Sequence, residues 1–150
     1  MKKLLSFALS ILLLIALASP VFATEQVNIV YTQEAVLENG ITIVKEIIDV
    51  SNARSTDKSY IHRMTLKDGD TTIGIIAIAA TFRYDGTTVS VVSKAVTQTD
   101  TYDGWEYVQN SFTSSGGTVT LNAKLTKWII LNTSFTMTLS CDKDGNISYT

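Results

Sequence analysis

His62 is the only histidine of the 150-residue chain and Cys141 the only cysteine, so acid–base or thiol chemistry must use one of them or the carboxylates. A hydrolytic triad needs a nucleophile, a general base and an orienting acid. Only His62 could be the base, and no G-x-S-x-G or comparable nucleophile motif accompanies it. In Tyr60-Ile61-His62-Arg63-Met64-Thr65-Leu66, alternation sets His62 with Tyr60 and Met64 on one face and Ile61, Arg63 and Thr65 on the other. That pattern predicts a partly buried histidine with a structural hydrogen bond. One His and one Cys far apart in sequence also argue against a transition-metal site.

Paired carboxylates could do glycosidase or lytic work without any short motif. The acids here fall mainly in turn-like stretches, as Asp68, Asp70, Asp85, Asp103, Asp142 and Asp144 do, and turn aspartates bond their own backbone. Asp142-x-Asp144-x-Asn146 matches the first three ligand positions of an EF-hand loop. Its sixth position, however, is Ile147 rather than glycine, and its twelfth would fall past Thr150. A weak calcium site at Asp142, Asp144 and Asn146 is what the motif leaves open, and no cofactor is implied.

The aromatic residues carry the positive expectation. Tyr102, Trp105 and Tyr107 flank Asp103-Gly104, and Tyr84 precedes Asp85-Gly86. Rings at strand ends beside turns can stack on sugars or hold a peptide, which makes Tyr84, Tyr102, Trp105 and Tyr107 the candidate ligand-binding residues. The competing expectation is that Trp105 and Tyr107 pack into the core.

Strands must position these groups. Beyond Pro20 the chain is rich in Thr, Val, Ile and Tyr and is cut by Asn39-Gly40, Asp68-Gly69, Asp85-Gly86, Asp103-Gly104, Gly116-Gly117 and Asp144-Gly145. Such dipeptides supply the positive φ angles of tight hairpins. Strands are expected near 26–33, 41–50, 58–67, 71–84, 87–98, 104–112, 117–127 and 134–141, which predicts an all-β fold: a single antiparallel two-sheet β-sandwich of about eight strands. Thr118 to Thr126 alternates cleanly, apolar at odd positions. Ile73 to Ala80 is apolar at both alternating sets and predicts a strand covered on both faces. Helical spacing also fits parts of 33–50, but Asn39-Gly40 favours a hairpin there. Trp128 to Leu131 breaks the alternation and predicts a bulge or a strand that switches phase, and 51–59 reads as a loop or a frayed strand start, the longest candidate for a mobile connection. Phe135, Met137 and Leu139 share a face with Cys141, so the cysteine is expected to point inward.

Lys2 and Lys3, the apolar run Leu4 to Leu17 and Val21-Phe22-Ala23 have the layout of a cleavable signal peptide, 1–23, ahead of a domain at 24–150. The apolar run is shorter than the roughly 20 residues of a spanning helix, so an extracellular protein with no membrane attachment after cleavage is expected. Loss of Lys2 and Lys3 takes the net charge from −2 to about −4, scattered along the chain. No basic patch interleaved with aromatics points to nucleic acid.

Asn39-Gly40-Ile41, the run ATFRYDGTTVSV from Ala80 to Val91, a tryptophan-bearing strand and the terminal LSCDKDGNIS together resemble a family of small secreted, β-rich proteins of Gram-positive bacteria. The resemblance implies a compact extracellular β-domain with no assigned activity. Similar sequences often place a second cysteine after the YDG turn, where this chain has Ser90 and Ser93. The expectation is a secreted, non-catalytic binding module whose partner is an extracellular glycan or protein. The alternatives are a small cell-wall hydrolase using turn carboxylates such as Asp103 or Glu106, and an inhibitor or immunity-type protein presenting the 51–59 loop. The sequence leaves the oligomeric state open.

Overall fold

The computed structural model describes residues 27–52, 56–128 and 131–150. The expected signal peptide lies outside these residues, as do 53–55 of the expected loop and 129–130 of the expected bulge. The remainder forms β1 (Asn28–Val36), β2 (Ile41–Asp49), β3 (Lys58–Asp68), β4 (Thr71–Tyr84), β5 (Val89–Thr101), β6 (Glu106–Ser115), β7 (Thr118–Lys127), β8 (Leu131–Cys141) and β9 (Ile147–Tyr149).

All neighbouring strands are antiparallel, in a five-stranded sheet of order β1-β2-β3-β4-β5 and a four-stranded sheet of order β6-β7-β8-β9. The two-sheet, all-β expectation therefore holds, with a ninth strand where the chain returns after Asp144-Gly145. The 33–50 segment is a hairpin and not a helix. Gly40 at φ +82° makes its turn, a conformation that glycine adopts without steric penalty.

Alternation drives the packing. Ile41, Ile43 and Ile47 of β2, Met64 and Leu66 of β3, and Ile76, Ile78 and Phe82 of β4 face Val119, Leu121 and Leu125 of β7 and Phe135, Met137 and Leu139 of β8 across one core. Each such side chain contributes roughly 1.5–3 kcal/mol by leaving water.

One expectation about β4 needs correction. Its inner face is covered by the second sheet, but no described layer covers its outer face. Ala77 and Ile48 there are nevertheless only 3% and 6% exposed; beside Ala77/Ile78 and Thr81/Phe82 the ladder shifts, leaving Thr97 and Val92 as extra residues of β5, whose bend makes the outer face a trough. Bulges sharpen local twist and bend a strand, so curvature replaces the missing layer.

Candidate functional site

An up-and-down chain places every second turn at the same end of the sandwich. The turns after β1, β3, β5 and β7 therefore gather at one end, and those after β2, β4, β6 and β8 at the other. Asn39 Nδ2 donates to Thr133 Oγ1 at 3.0 Å across the first end. At the second, Gly86 N–H donates to the carbonyl of Lys143 at 2.8 Å.

At the first end a hollow of about 220 Å³ is lined by Asn39, Ile41, Asp68, Trp105, Leu131, Asn132 and Thr133. Trp105 is 7% exposed and belongs to the core, so its indole forms a fixed wall. Its position is set by a tight turn in which Trp105 N–H donates to the Tyr102 carbonyl at 3.1 Å, and Tyr102 N–H to that of Ile73 at 3.1 Å. Asn39, Asp68, Asn132 and Thr133 bring amides, a carboxylate and a hydroxyl to the same hollow. An aromatic wall with a few convergent polar groups is the usual make-up of a small-molecule site.

Two further rings stand exposed in turns at the same end. Tyr102 is 45% and Trp128 76% exposed. Lys127 Nζ donates to Asp103 Oδ2 at 2.6 Å and lies 5.2 Å from the centre of the Trp128 ring, tying the β5–β6 turn to the β7–β8 turn. Asp103 and Trp128 are the only described non-glycine residues with positive φ, each +55°. A bulky residue in that region is uncommon and carries strain, and here it holds an indole out to solvent.

Of the four rings expected to bind ligand, Tyr102 and Trp105 share this end. Tyr107 is half-buried against the core and donates to Gln109 Oε1 at 3.2 Å. Burial pushes its phenol pKa upward. Tyr84 lies at the opposite end, where its ring packs on Gly145, most of the length of β4 away, roughly 30 Å or more. Sequence reasoning missed Asn39, Asp68, Trp128, Asn132 and Thr133, although turn parity in a meander would have grouped them with Trp105.

No family model, curated protein or solved structure matches this chain.

Larger hollows lie in the outer trough of the five-stranded sheet, about 570, 500 and 330 Å³, and all three are lined by Ile61. Arg63, which lines the two larger ones, is already paired with Glu46 at 2.8 Å. The largest also carries Thr97, Gln98, Thr99 and Asp100, and the second Asn28, Asp49 and Ser51, but neither has an aromatic wall such as Trp105 provides at the end of the sandwich.

The remaining chemical candidates are structural. His62 is fully buried, and its Nδ1–H donates to the Thr138 carbonyl at 2.9 Å. Asp142 Oδ1 accepts the N–H groups of Asp144 and Asn146, both at 2.9 Å, and Oδ2 accepts Asn146 Nδ2 at 2.8 Å. These bonds hold its carboxyl below the usual pKa and spend its oxygens on the turn. No group of three or more His, Cys, Asp or Glu among the described residues is arranged to hold a metal.

Cys141 is 4% exposed and sits in the core. Burial first, and Asp142 second, push its thiol pKa upward. A protonated, buried thiol is a poor nucleophile, so a thiol reagent should modify native protein at least about tenfold more slowly than urea-unfolded protein. Equal rates would place the sulfur at the surface.

Proposed function

We propose that the protein is an exported, non-catalytic module that binds sugar rings of an extracellular glycan at the Trp105 end of the sandwich. The observation that carries this reading is the convergence of a fixed indole wall with Asn39, Asp68, Asn132 and Thr133 in one hollow. Sugars present C–H faces that stack on aromatic rings and hydroxyls that pair with amides and carboxylates. Among the described residues Asp68 is the only formal charge lining the hollow; it disfavours anionic sugars, so neutral or amino sugars fit best. Exposed Trp128 and Tyr102 extend the stacking surface to a second ring. Export rests on the leader layout of residues 1–23.

The test is retention on purified cell-wall polysaccharide. Trp128→Ala combined with Asp68→Ala removes exposed groups only, and should weaken retention at least about tenfold, equivalent to about 1.4 kcal/mol. Asp103→Asn and Glu106→Gln should leave retention within about twofold, and no variant should release soluble sugar. Wild-type protein that passes through unretained, or wall digestion abolished by either carboxamide variant, would overturn the reading.

A further inference from the structure

The four-stranded sheet has an incomplete edge. β9 pairs only with Leu139, Ser140 and Cys141 of β8, and Thr138 N–H donates to the Thr150 carbonyl at 3.1 Å just beyond it. Successive residues of a strand direct their N–H and C=O groups to opposite neighbours. Cys141 N–H points toward β7, donating to the Gly117 carbonyl at 2.9 Å, and Thr138 points the other way. Asn132, Ser134 and Thr136, in phase with Thr138, therefore turn their backbone groups toward the side where no described strand lies. All three are exposed.

The opposite sheet overhangs this edge. β8 packs over β3 and β4, so β2 and β1 project past it. On β1, Tyr31, Gln33 and Ala35 oppose Ile47, Lys45 and Ile43 and share their inward face. Tyr149 of β9 covers Tyr31, with ring centroids 4.7 Å apart. Gln33 and Ala35, beyond the reach of β9, are exposed. The shelf and the open ladder border the same space.

β8 also lacks the usual edge protection. β1, β5 and β6 each carry a register shift and a charged residue, Glu34, Lys94 and Glu106 respectively. From Leu131 to Cys141, β8 has neither charge nor proline and pairs without a shift. Natural edges are normally blunted by one of these devices.

We propose that this edge accepts an extended segment of a partner polypeptide, added antiparallel to β8 in line with β9. Its apolar side chains would lie opposite Thr133, Phe135 and Met137, and its polar ones opposite Asn132, Ser134 and Thr136. Strand addition of this kind draws affinity from main-chain hydrogen bonds and specificity from alternate side chains. A second folded copy does not fit edge to edge, because its own overhanging sheet would meet β1 and β2. A single strand does fit. The inference does not rest on the glycan reading, but the two sites share Asn132 and Thr133, so peptide and sugar would compete there.

The probe is the peptide TVTLNAKLT, the sequence of residues 118–126, which already pairs antiparallel with β8 on its other edge. Amide hydrogen exchange on the purified protein reads the result. The amides of Asn132, Ser134 and Thr136 should exchange freely without peptide and slow at least about tenfold at saturation. A scrambled peptide should leave them unchanged. Ser134→Pro removes an N–H that the β7 ladder does not use, a position where an edge tolerates proline, and should weaken peptide binding at least about tenfold. If that variant unfolds, the wild-type exchange pattern decides alone. Unchanged exchange at about 1 mM peptide would overturn the proposal. So would protection already present in the free protein, which would mean that the chain fills its own edge.

Discussion

Lowering the pH from 7 to below 4 should destabilise the fold by roughly 3 kcal/mol through His62 alone. The side chain is fully buried, its Nδ1–H is committed to the Thr138 carbonyl, and Nε2 has no partner among the described residues. The Tyr149 ring closes over it with centroids 5.7 Å apart. Burial lowers its pKa from 6.5 to about 4; the Thr138 bond pulls the other way, and Lys45 adds a smaller downward push. Below pH 6.5 the unfolded chain takes up a proton that the folded chain refuses until about pH 4. Stability is therefore intact above the unfolded pKa, falls through this window, and levels off below it. Urea unfolding across the window should show that loss, and His62→Met should abolish most of the slope. A wild-type slope unchanged by His62→Met would assign the titration elsewhere. Asp85 and Asp142, held low by turn hydrogen bonds, lose their contribution only at lower pH.

Gly117→Ala should lower stability by about 3 kcal/mol, the upper end of overpacking effects, and the thermal midpoint by about 10 °C. A methyl group at Gly117 would collide with the Cys141 carbonyl oxygen and lie 2.7 Å from Val89 Cγ1. The backbone cannot withdraw freely, because the Gly117 carbonyl accepts the Cys141 N–H at 2.9 Å. Gly40 is the opposite case: it has positive φ but nothing within 4 Å of an added Cβ. Asparagine tolerates that backbone, so Gly40→Asn should change stability by less than about 1 kcal/mol. Similar losses at both positions would show that glycine is needed for conformation and not for close approach.

Much of the fold is legible in the chain because each hairpin announces itself locally. Alternation from Thr118 to Thr126 fixes which face of β7 is buried, and the same parity sends Cys141 and His62 inward. The glycines of Asn39-Gly40, Asp68-Gly69, Asp85-Gly86, Asp103-Gly104 and Asp144-Gly145 all have positive φ, as a tight reversal requires. The curl of β4 was not legible. Its two apolar faces look like those of a strand between two layers, whereas the bulges at Val92 and Thr97 of the neighbouring β5 bend that strand toward the outer face. The candidate site was half legible. Composition drew attention to Trp105 and Tyr102, but local reading grouped them with Tyr84, which shares their chemistry and not their end of the sandwich. Asn39, Asp68 and Asn132 carry no signal of their own. They become a site only when the meander brings alternate turns together.

The chain has two tryptophans, Trp105 in the wall of the hollow and Trp128 in a turn at the same end, so two indole N–H signals report directly on the central claim. During titration with soluble neutral or amino-sugar oligosaccharides released from cell wall, both signals should shift saturably together with the backbone amides of Asn132 and Thr133. The sugar should be recovered uncleaved. Indole signals that stay fixed while amides elsewhere respond, or that stay fixed throughout, would contradict glycan binding at this end of the sandwich.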